Sequence, residues 1–415
     1  MEDLKRQNLK GVAMLDRPSR NTILKKIIKK RKFKLSVSAP LNNLVIEFLD
    51  EFSKELKKLK ETNQYPDLVY LIYWCRKKKI EKLKNFNFSD QIRLGRGLIF
   101  HICPSNIPTN FIYSFFFGLL SGNSNIVKIP SKNSKQKKII LNVIDILFKK
   151  KKFFSIKKSN YFMEYDYADK NMITEKISSI SDGRVLWGSD NTINEIKKIW
   201  APERSIDVIF SDRYSISIIN SIKFEKLKNK EIVMIANKFF YDSYSMNQQG
   251  CNSPHFVFWI GKRNKKIQNF FWDSLDAIIQ KKYDFKEIQI IDKYTKLIEN
   301  ILLRNDIDKI STKKNNIYIL DYKSKNKIIE NIRGVSGIFY QLNLNNLKEL
   351  KKYITKKCQT VSYYGFTKHE LEQFMLNSNL TGIDRIVPIG NALDIDFKWD
   401  GYDLIKTLSR IVSVI

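Results

Sequence analysis

Apolar residues recur at helical spacing in the first part of the chain and give way to short unbroken runs near residue 93. Leu41, Val45, Phe48, Leu49, Phe52, Leu56 and Leu59 lie three or four apart with lysines and glutamates between them, one face of a helix. A second helical stretch over 67–84 carries Leu68, Leu71, Ile72 and Trp74 ahead of a basic run. Then Leu98-Ile99-Phe100-His101-Ile102 reads as a buried strand that ends at Cys103-Pro104-Ser105-Asn106. An apolar helix over 110–120 follows, stopped by Ser121-Gly122-Asn123. Residues 125–129 read as the next strand, closed by Pro130, and 135–150 as an amphipathic helix.

The alternation continues with a strand at 184–187, the turn Gly188-Ser189 and a helix over 191–200, then strands at 207–210 and 215–219. A second unit begins near Phe224: a helix over 231–241, a loop holding Cys251, a strand at 256–260 and a helix after Lys265. The end, 381–415, mixes short strands with a final amphipathic helix. This pattern predicts an α/β protein: two α/β domains with mostly parallel sheets behind a helical N-terminal section. The division expected is a helical section over 1–90 packed on the first domain, that domain over 91–222, a second over 223–380 carrying Cys251, and a segment over 381–415. The last returns to the first domain or forms an oligomer interface.

Composition changes this picture little. Of 415 residues 43% are hydrophobic, with only 15 glycines and 9 prolines, as an ordered globular chain requires. The net charge of +31 is large, but the lysines are spread along the whole chain, with local runs at 25–34, 77–84 and 149–158. No zinc-finger spacing, RNP-like aromatic motif or basic-region heptad accompanies them. The charge therefore reads as solvated faces and compositional drift in preference to a specific nucleic-acid surface. Four separated cysteines without a CxxC pair suggest neither a disulfide framework nor a zinc site. Three histidines in three segments give a metal site or a Ser-His-Asp triad little to draw on. The most apolar run, 111–120, is half the length of a transmembrane helix, and the first 20 residues lack the apolar core of a signal peptide. A soluble cytoplasmic protein is expected.

The segment Met246-Asn247-Gln248-Gln249-Gly250-Cys251-Asn252-Ser253-Pro254 is the most informative. A cysteine at such a turn, between a helix and an apolar strand, meets backbone N–H groups able to stabilise a thiolate or an oxyanion, or is a small buried residue at a tight turn. In Pro104-Ser105-Asn106-Ile107-Pro108, two prolines stiffen a strand exit and hold Asn106 either as an amide donor or as an Asx turn. Lys128 at a strand end before Pro130-Ser131, and Gly188-Ser189 between strand and helix, suit a phosphate-bearing cofactor. The dinucleotide glycine fingerprint is missing, since Gly95-Arg96-Gly97 precedes a strand. His255, four residues after Cys251, either poises the thiol and donates a proton or is structural. Cys103 reads as core packing.

Taken together, Gly97 to Pro108, Gly122 to Ser131, Trp187-Gly188-Ser189, Asn247 to Pro254, Asp384 to Gly390 and Trp399-Asp400-Gly401-Tyr402-Asp403 resemble the aldehyde dehydrogenase superfamily. They are closest to its acyl-CoA reductase branch, typified by the fatty-acid reductase of bacterial bioluminescence (the LuxC type). The resemblance implies an aldehyde-dehydrogenase-like fold with its cofactor domain over 91–222. It makes Cys251 an acyl-accepting nucleophile and places Asn106 in the oxyanion hole with the Cys251 N–H. It sets Lys128 and Ser131 at the adenosine ribose or its phosphate and Gly188-Ser189 at the pyrophosphate. The general-base glutamate of hydrolytic aldehyde dehydrogenases has no counterpart; the region reads Ser211-Asp212-Arg213-Tyr214-Ser215. The implied activity is NADPH-dependent reduction of an acyl-CoA or acyl-protein thioester to an aldehyde, without a metal. A homo-oligomer and an acyl-protein synthetase partner are implied too. The alternatives are a cysteine-dependent acyltransferase or thioesterase without redox chemistry, and a non-catalytic basic binding protein.

Overall fold

A computed structural model describes residues 33–84, 91–104, 107–165, 170–323 and 329–414. Helix α1 (Asn43–Lys58) starts where the Asn42 side chain accepts the Leu44 N–H, and ends on Lys57 and Lys58, which suit the negative end of its dipole. The stretch predicted as one helix over 67–84 is two, α2 (Pro66–Trp74) and α3 (Lys77–Lys84). The Asp50 carboxylate accepts the Lys77 N–H at 2.9 Å and so starts a new helix after Cys75.

Strand β1 (Ile92–Gly95) leads into β2 (Leu98–Ile102), helix α4 (Asn110–Leu120), β3 (Ser124–Lys128), helix α5 (Lys135–Lys149) and β4 (Asn160–Met163). After them come β5 (Gly183–Trp187), helix α6 (Asp190–Lys197) and β6 (Ile206–Phe210). Strands β2 to β6 form a parallel five-stranded sheet in the order β4-β3-β2-β5-β6. All five residues of β2 and of β5 are buried, as in a sheet covered on both faces. The strand order reverses between β2 and β5, which opens a crevice beyond their C-terminal ends.

The second sheet takes up β7 (Tyr214–Asn220), helix α7 (Asn229–Tyr244), β8 (Pro254–Ile260), helix α8 (Lys265–Lys282), helix α9 (Glu287–Leu303), β9 (Ile307–Lys313), β10 (Ile317–Tyr322), β11 (Ile338–Leu344), β12 (Cys358–Tyr364) and β13 (Arg385–Pro388). Its order is β13-β12-β7-β8-β11-β10-β9, parallel throughout except for the antiparallel edge strand β9. The segment 215–219 thus belongs to this sheet, and the chain crosses between Phe210 and Tyr214. Phe239, Phe240, Phe256 and Phe258, which flank Cys251 in the chain, are buried in its cores.

The C-terminal stretch holds the hairpin β14 (Lys398–Trp399) and β15 (Tyr402–Asp403), a four-residue turn of helix (Leu404–Thr407) and β16 (Ser409–Val412). The predicted final helix is cut short because 409–412 pair antiparallel with β1, Ile92 opposite Val412, and so satisfy their backbone groups in a ladder. Trp74 of α2 packs against Tyr113 and Phe117 of α4 and against Phe397, at ring-centroid distances of 5.2, 5.7 and 5.7 Å. The N-terminal helices, the helix-covered face of the first sheet and the C-terminal stretch therefore share one core. Burial of each such aromatic stabilises the fold by about 1.5–3 kcal/mol. Among the described residues no helix is long and apolar enough to cross a membrane.

Candidate active site

Cys251 sits in the connection between α7 and β8, and side chains hold that connection to three strands. Asn247 and Gln248 adopt left-handed backbone (φ 52° and 61°), a conformation that needs support outside glycine. Gln248 supplies it. Its buried amide donates to the carbonyls of Pro254 (3.1 Å) and Ile338 (3.0 Å) and accepts from the Gly337 N–H (3.1 Å). At Gly250 a side chain would bring Cβ within 2.7 Å of the Asn252 Oδ1, so a larger residue would push the Asn252 amide out of place. Ser215 of β7 donates to the Cys251 carbonyl at 2.6 Å and accepts from the Thr360 N–H of β12. Asn252 donates to the Ala392 carbonyl at 2.7 Å. The 390–392 loop is itself pinned by the buried Asp242 carboxylate, which accepts from the N–H groups of Gly390 (2.7 Å) and Ala392 (2.9 Å).

The thiol is half-buried and faces an amide. Gln359 Nε2 of β12 lies 3.4 Å from Cys251 Sγ and 2.5 Å from Asp400 Oδ1. Arg213 spans Asp384 (2.5 Å) and Asp400 (3.5 Å). Burial, then the Asp400 charge, push the Cys251 thiol up to about 12, while the Gln359 hydrogen bond and the Arg213 guanidinium pull it down. Cys251 thus rests protonated, and its thiolate is a state to be reached during reaction. Burial likewise raises the carboxyl of Asp242, to about 7, against the two N–H bonds that favour its ionised form.

The structure treats the other sequence candidates unevenly. Asn106, with Ser105, lies outside the described residues. His255 is buried on β8, where its Nδ1 accepts the Gly334 N–H at 3.0 Å. Burial, then the nearby Arg333, bring its pKa down to about 3, so the ring is neutral with its proton on Nε2. Among the described hydrogen bonds none joins His255 to Cys251. Cys103 is buried, and burial pushes its thiol up to about 12, in keeping with core packing. Lys128 ends β3 with its ammonium 5.3 Å from the Tyr165 ring centroid, and Ser131 is exposed just beyond. Gly188 donates its N–H to Phe210 at the end of β6, and Ser189 caps α6 by accepting the Thr192 N–H. Lys128 and Gly188-Ser189 therefore stand at strand ends of the first sheet, Gly188-Ser189 on the crevice itself. Ser131 follows β3, and Cys251 heads the second sheet.

Among solved structures, a proline utilization A variant from Bradyrhizobium japonicum superposes with a TM-score of 0.64 at 11% identity, over 97% of this chain and 45% of that one. Aldehyde dehydrogenase 21 from Physcomitrella patens gives 0.62 at 11% identity, covering 89% of this chain and 85% of that chain. Staphylococcus aureus AldH gives 0.55 at 12%, covering 90% and 85%. The fold is aldehyde-dehydrogenase-like. The sequence itself matches the acyl-CoA reductase (LuxC) family over residues 78–412. The chain belongs to that family. The long-chain acyl-protein thioester reductase of Vibrio harveyi is 20% identical over 330 residues, 77% of this chain; the chain spans 64% of that protein's length.

Within this LuxC-family chain, Gln359 is the site residue that sequence reasoning did not single out. Asp400 lay inside one of the motifs, and Arg213 and Ser215 stood in the stretch that lacks a glutamate, but none of them carried a role. Separations of 108 residues from Cys251 to Gln359 and 41 from Gln359 to Asp400 leave no local signal. The adjacency of β7, β8 and β12, with the β14–β15 turn set beside them, brings the group together.

Proposed function

We propose that this chain is an oxidoreductase that converts an acyl thioester to an aldehyde through an acyl group carried on Cys251, with a reduced nicotinamide as hydride donor and NADPH favoured over NADH. The observation that carries the reading is the surroundings of the sulfur. Its hydrogen-bond partner is the neutral amide of Gln359, and the nearest acid, Asp400, is turned to that amide and to Arg213. A water-activating carboxylate would hydrolyse an acyl-enzyme; here the acid is engaged elsewhere, which favours reduction over hydrolysis. Family membership supports the same direction. The crevice where the first sheet reverses its strand order, with Gly188-Ser189 at its edge and Lys128 at a neighbouring strand end, suits a dinucleotide.

In this mechanism Cys251 Sγ attacks the thioester carbonyl carbon. A new Sγ–C bond forms, the donor's C–S bond breaks, and the departing thiol leaves with the proton that Cys251 gives up. The oxyanion is held by the Cys251 N–H and, in this reading, by Asn106. When bound, the reduced nicotinamide supplies a hydride to the acyl carbon. Breaking the Sγ–C bond then releases the aldehyde and leaves the Cys251 thiolate, which takes up a proton from solvent to restore the thiol. A cavity of about 850 Å³ between the N-terminal helices and the connection before Cys251, lined by Tyr65, Ile107, Tyr244, Met246 and Gln249, supports an approach of the acyl group from that side. The donor is an acyl-CoA or an acyl-protein, the latter implying a synthetase partner, and a homo-oligomer in the cytoplasm belongs to the same reading.

The test is a Cys251→Ser variant given radiolabelled acyl-CoA and NADPH or NADH. It should form no labelled protein and no aldehyde, with NADPH the better reductant for the unaltered chain. Labelling of the variant with continued aldehyde production would overturn the assignment. A chain that acylates Cys251 but binds neither cofactor in a fluorescence titration would be an acyltransferase.

A further inference from the structure

Two buried glutamines lie beside Cys251, and they are used in opposite ways. Gln248 gives both ends of its amide to backbone groups and so is fully spent on the fold. Gln359 is equally buried, but its Nε2 serves Asp400 and the Cys251 sulfur, and its Oε1 has no hydrogen-bond partner among the described residues. Several buried hydroxyls on the same strands also lack a partner, so what sets Gln359 apart is where its donor points, onto the sulfur. The orientation of the amide is not arbitrary, because Asp400 accepts and so demands the donor end. Asp400 in turn is held by Arg213, which also anchors on Asp384 and on the carbonyl of Cys358 (2.9 Å).

We infer that Gln359 is a catalytic residue whose Nε2–H stabilises negative charge on Cys251 Sγ, and that Asp400 and Arg213 position it. The inference rests on the reading of Cys251 as the acyl acceptor and adds the group that makes its sulfur serviceable. Charge appears on Sγ twice, when the thiol loses its proton to attack and when the Sγ–C bond breaks to release aldehyde. One N–H aimed at sulfur helps both steps, whereas a general base would help the first and invite hydrolysis. The sulfur also feels the charges of Asp400, Arg213 and Arg385. Asp400 alone would oppose a thiolate; placed between Gln359 and Arg213, it orients the donor while the guanidinium offsets its charge.

The experiment is the rate of Cys251 alkylation by iodoacetamide between pH 7 and 10, read by mass spectrometry of the Cys251 peptide, in the full-length protein. Cys75, Cys103 and Cys358 are buried and should stay unmodified. Gln359→Met keeps the volume and removes the donor. It should slow alkylation by about tenfold or more at each pH, the loss expected for a hydrogen bond to a charged atom. Asp400→Asn leaves Gln359 in place, keeps an accepting oxygen and deletes the negative charge. It should speed alkylation several-fold by deleting the opposing charge, and Gln359→Glu, which keeps the shape and replaces the donor by an acceptor, should slow it and carries the test should the Met variant not fold. Alkylation profiles that coincide with the unaltered protein overturn the inference. Since alkylation needs neither acyl donor nor cofactor, its outcome is separate from that of Cys251→Ser. Retained aldehyde synthesis in that variant would sink the acyl-acceptor reading and leave the Gln359 effect standing.

Discussion

The two sheets are finished differently at the ends that carry the candidate residues. At the five-stranded sheet the candidate cofactor groups are strand ends and a helix start: Lys128, the exposed Ser131 and Ser189, and the backbone of Gly188. At the seven-stranded sheet the cysteine is surrounded by side chains fixed to backbone from several strands: Gln248, Ser215, Asn252 and Asp242. The difference fits the chemistry that the proposed function asks of each half. A dinucleotide makes many weak contacts and tolerates looseness at each of them. A nucleophile must stand within a fraction of an ångström of its target, so its support has to be rigid.

If that contrast is right, Gln248→Ala should be the most damaging change outside the cysteine itself. It strands the Gly337 N–H and the carbonyls of Pro254 and Ile338 in the interior and removes the support for left-handed Asn247 and Gln248. The loss should be roughly 3 kcal/mol or more, since each unpaired buried group costs about 1–3 kcal/mol. The urea midpoint should fall, and hydrogen exchange should accelerate over 245–253 while the five-stranded sheet stays protected. Uniform loss of protection in both sheets would mean that the connection is not a separate rigid unit.

Asp242→Asn should be milder and should depend on pH. Its carboxyl is raised to about 7 in the folded chain from 3.8, so between about pH 4 and 7 the native state binds more protons than the unfolded one. The stability linked to this group is therefore fully present below pH 4 and lost as pH rises through 7. The asparagine variant lacks that titration. Its urea midpoint, compared with the unaltered chain at pH 5 and at pH 8, should improve in relative terms at the higher pH. The buried histidines His101 and His255, with pKa values lowered to about 4 and 3, act in the opposite sense below pH 6.5 and cancel in the comparison. A gap that does not change with pH would show that Asp242 is ionised in the fold.

The same contrast explains what could be read from the sequence. Unbroken apolar runs such as 98–102 and 256–260 announce parallel strands buried on both faces, and the glycine and proline punctuation marks their loops. The places of Lys128, Ser131, Gly188 and Ser189 after strands and at a helix start were legible because such ends are local signals. So was the connection that holds Cys251, whose glycine and amides stand beside it in the chain. Gln359, Asp400 and Arg213 were not, since a glutamine in the strand Cys358–Tyr364 and an aspartate in a tight hairpin look like ordinary polar punctuation. Two boundaries went astray for a related reason. Strand 215–219 pairs with β8 and β12 rather than with its neighbour in sequence, and 409–412 find a ladder partner more than 300 residues away in β1.

The smallest expected effect tests the other half of the molecule. Ser189 accepts the Thr192 N–H at 3.3 Å and caps the eight-residue helix α6, whose N-terminus opens on the crevice. Ser189→Ala removes a cap that is worth about 1 kcal/mol in typical helices and frays one turn. The free N–H groups would remain available to an anion, because they belong to the backbone. The variant should therefore raise the dissociation constant for NADPH by only a few-fold and leave the alkylation rate of Cys251 unchanged. Asp190, in the first turn, is matched by Lys357 of the second sheet at 2.8 Å, a bridge across the cleft. Should Ser189→Ala instead abolish cofactor binding, or alter the reactivity of Cys251, the first sheet would be as tightly built around its ligand as the second is around its sulfur. The contrast between the two halves would then have to be abandoned.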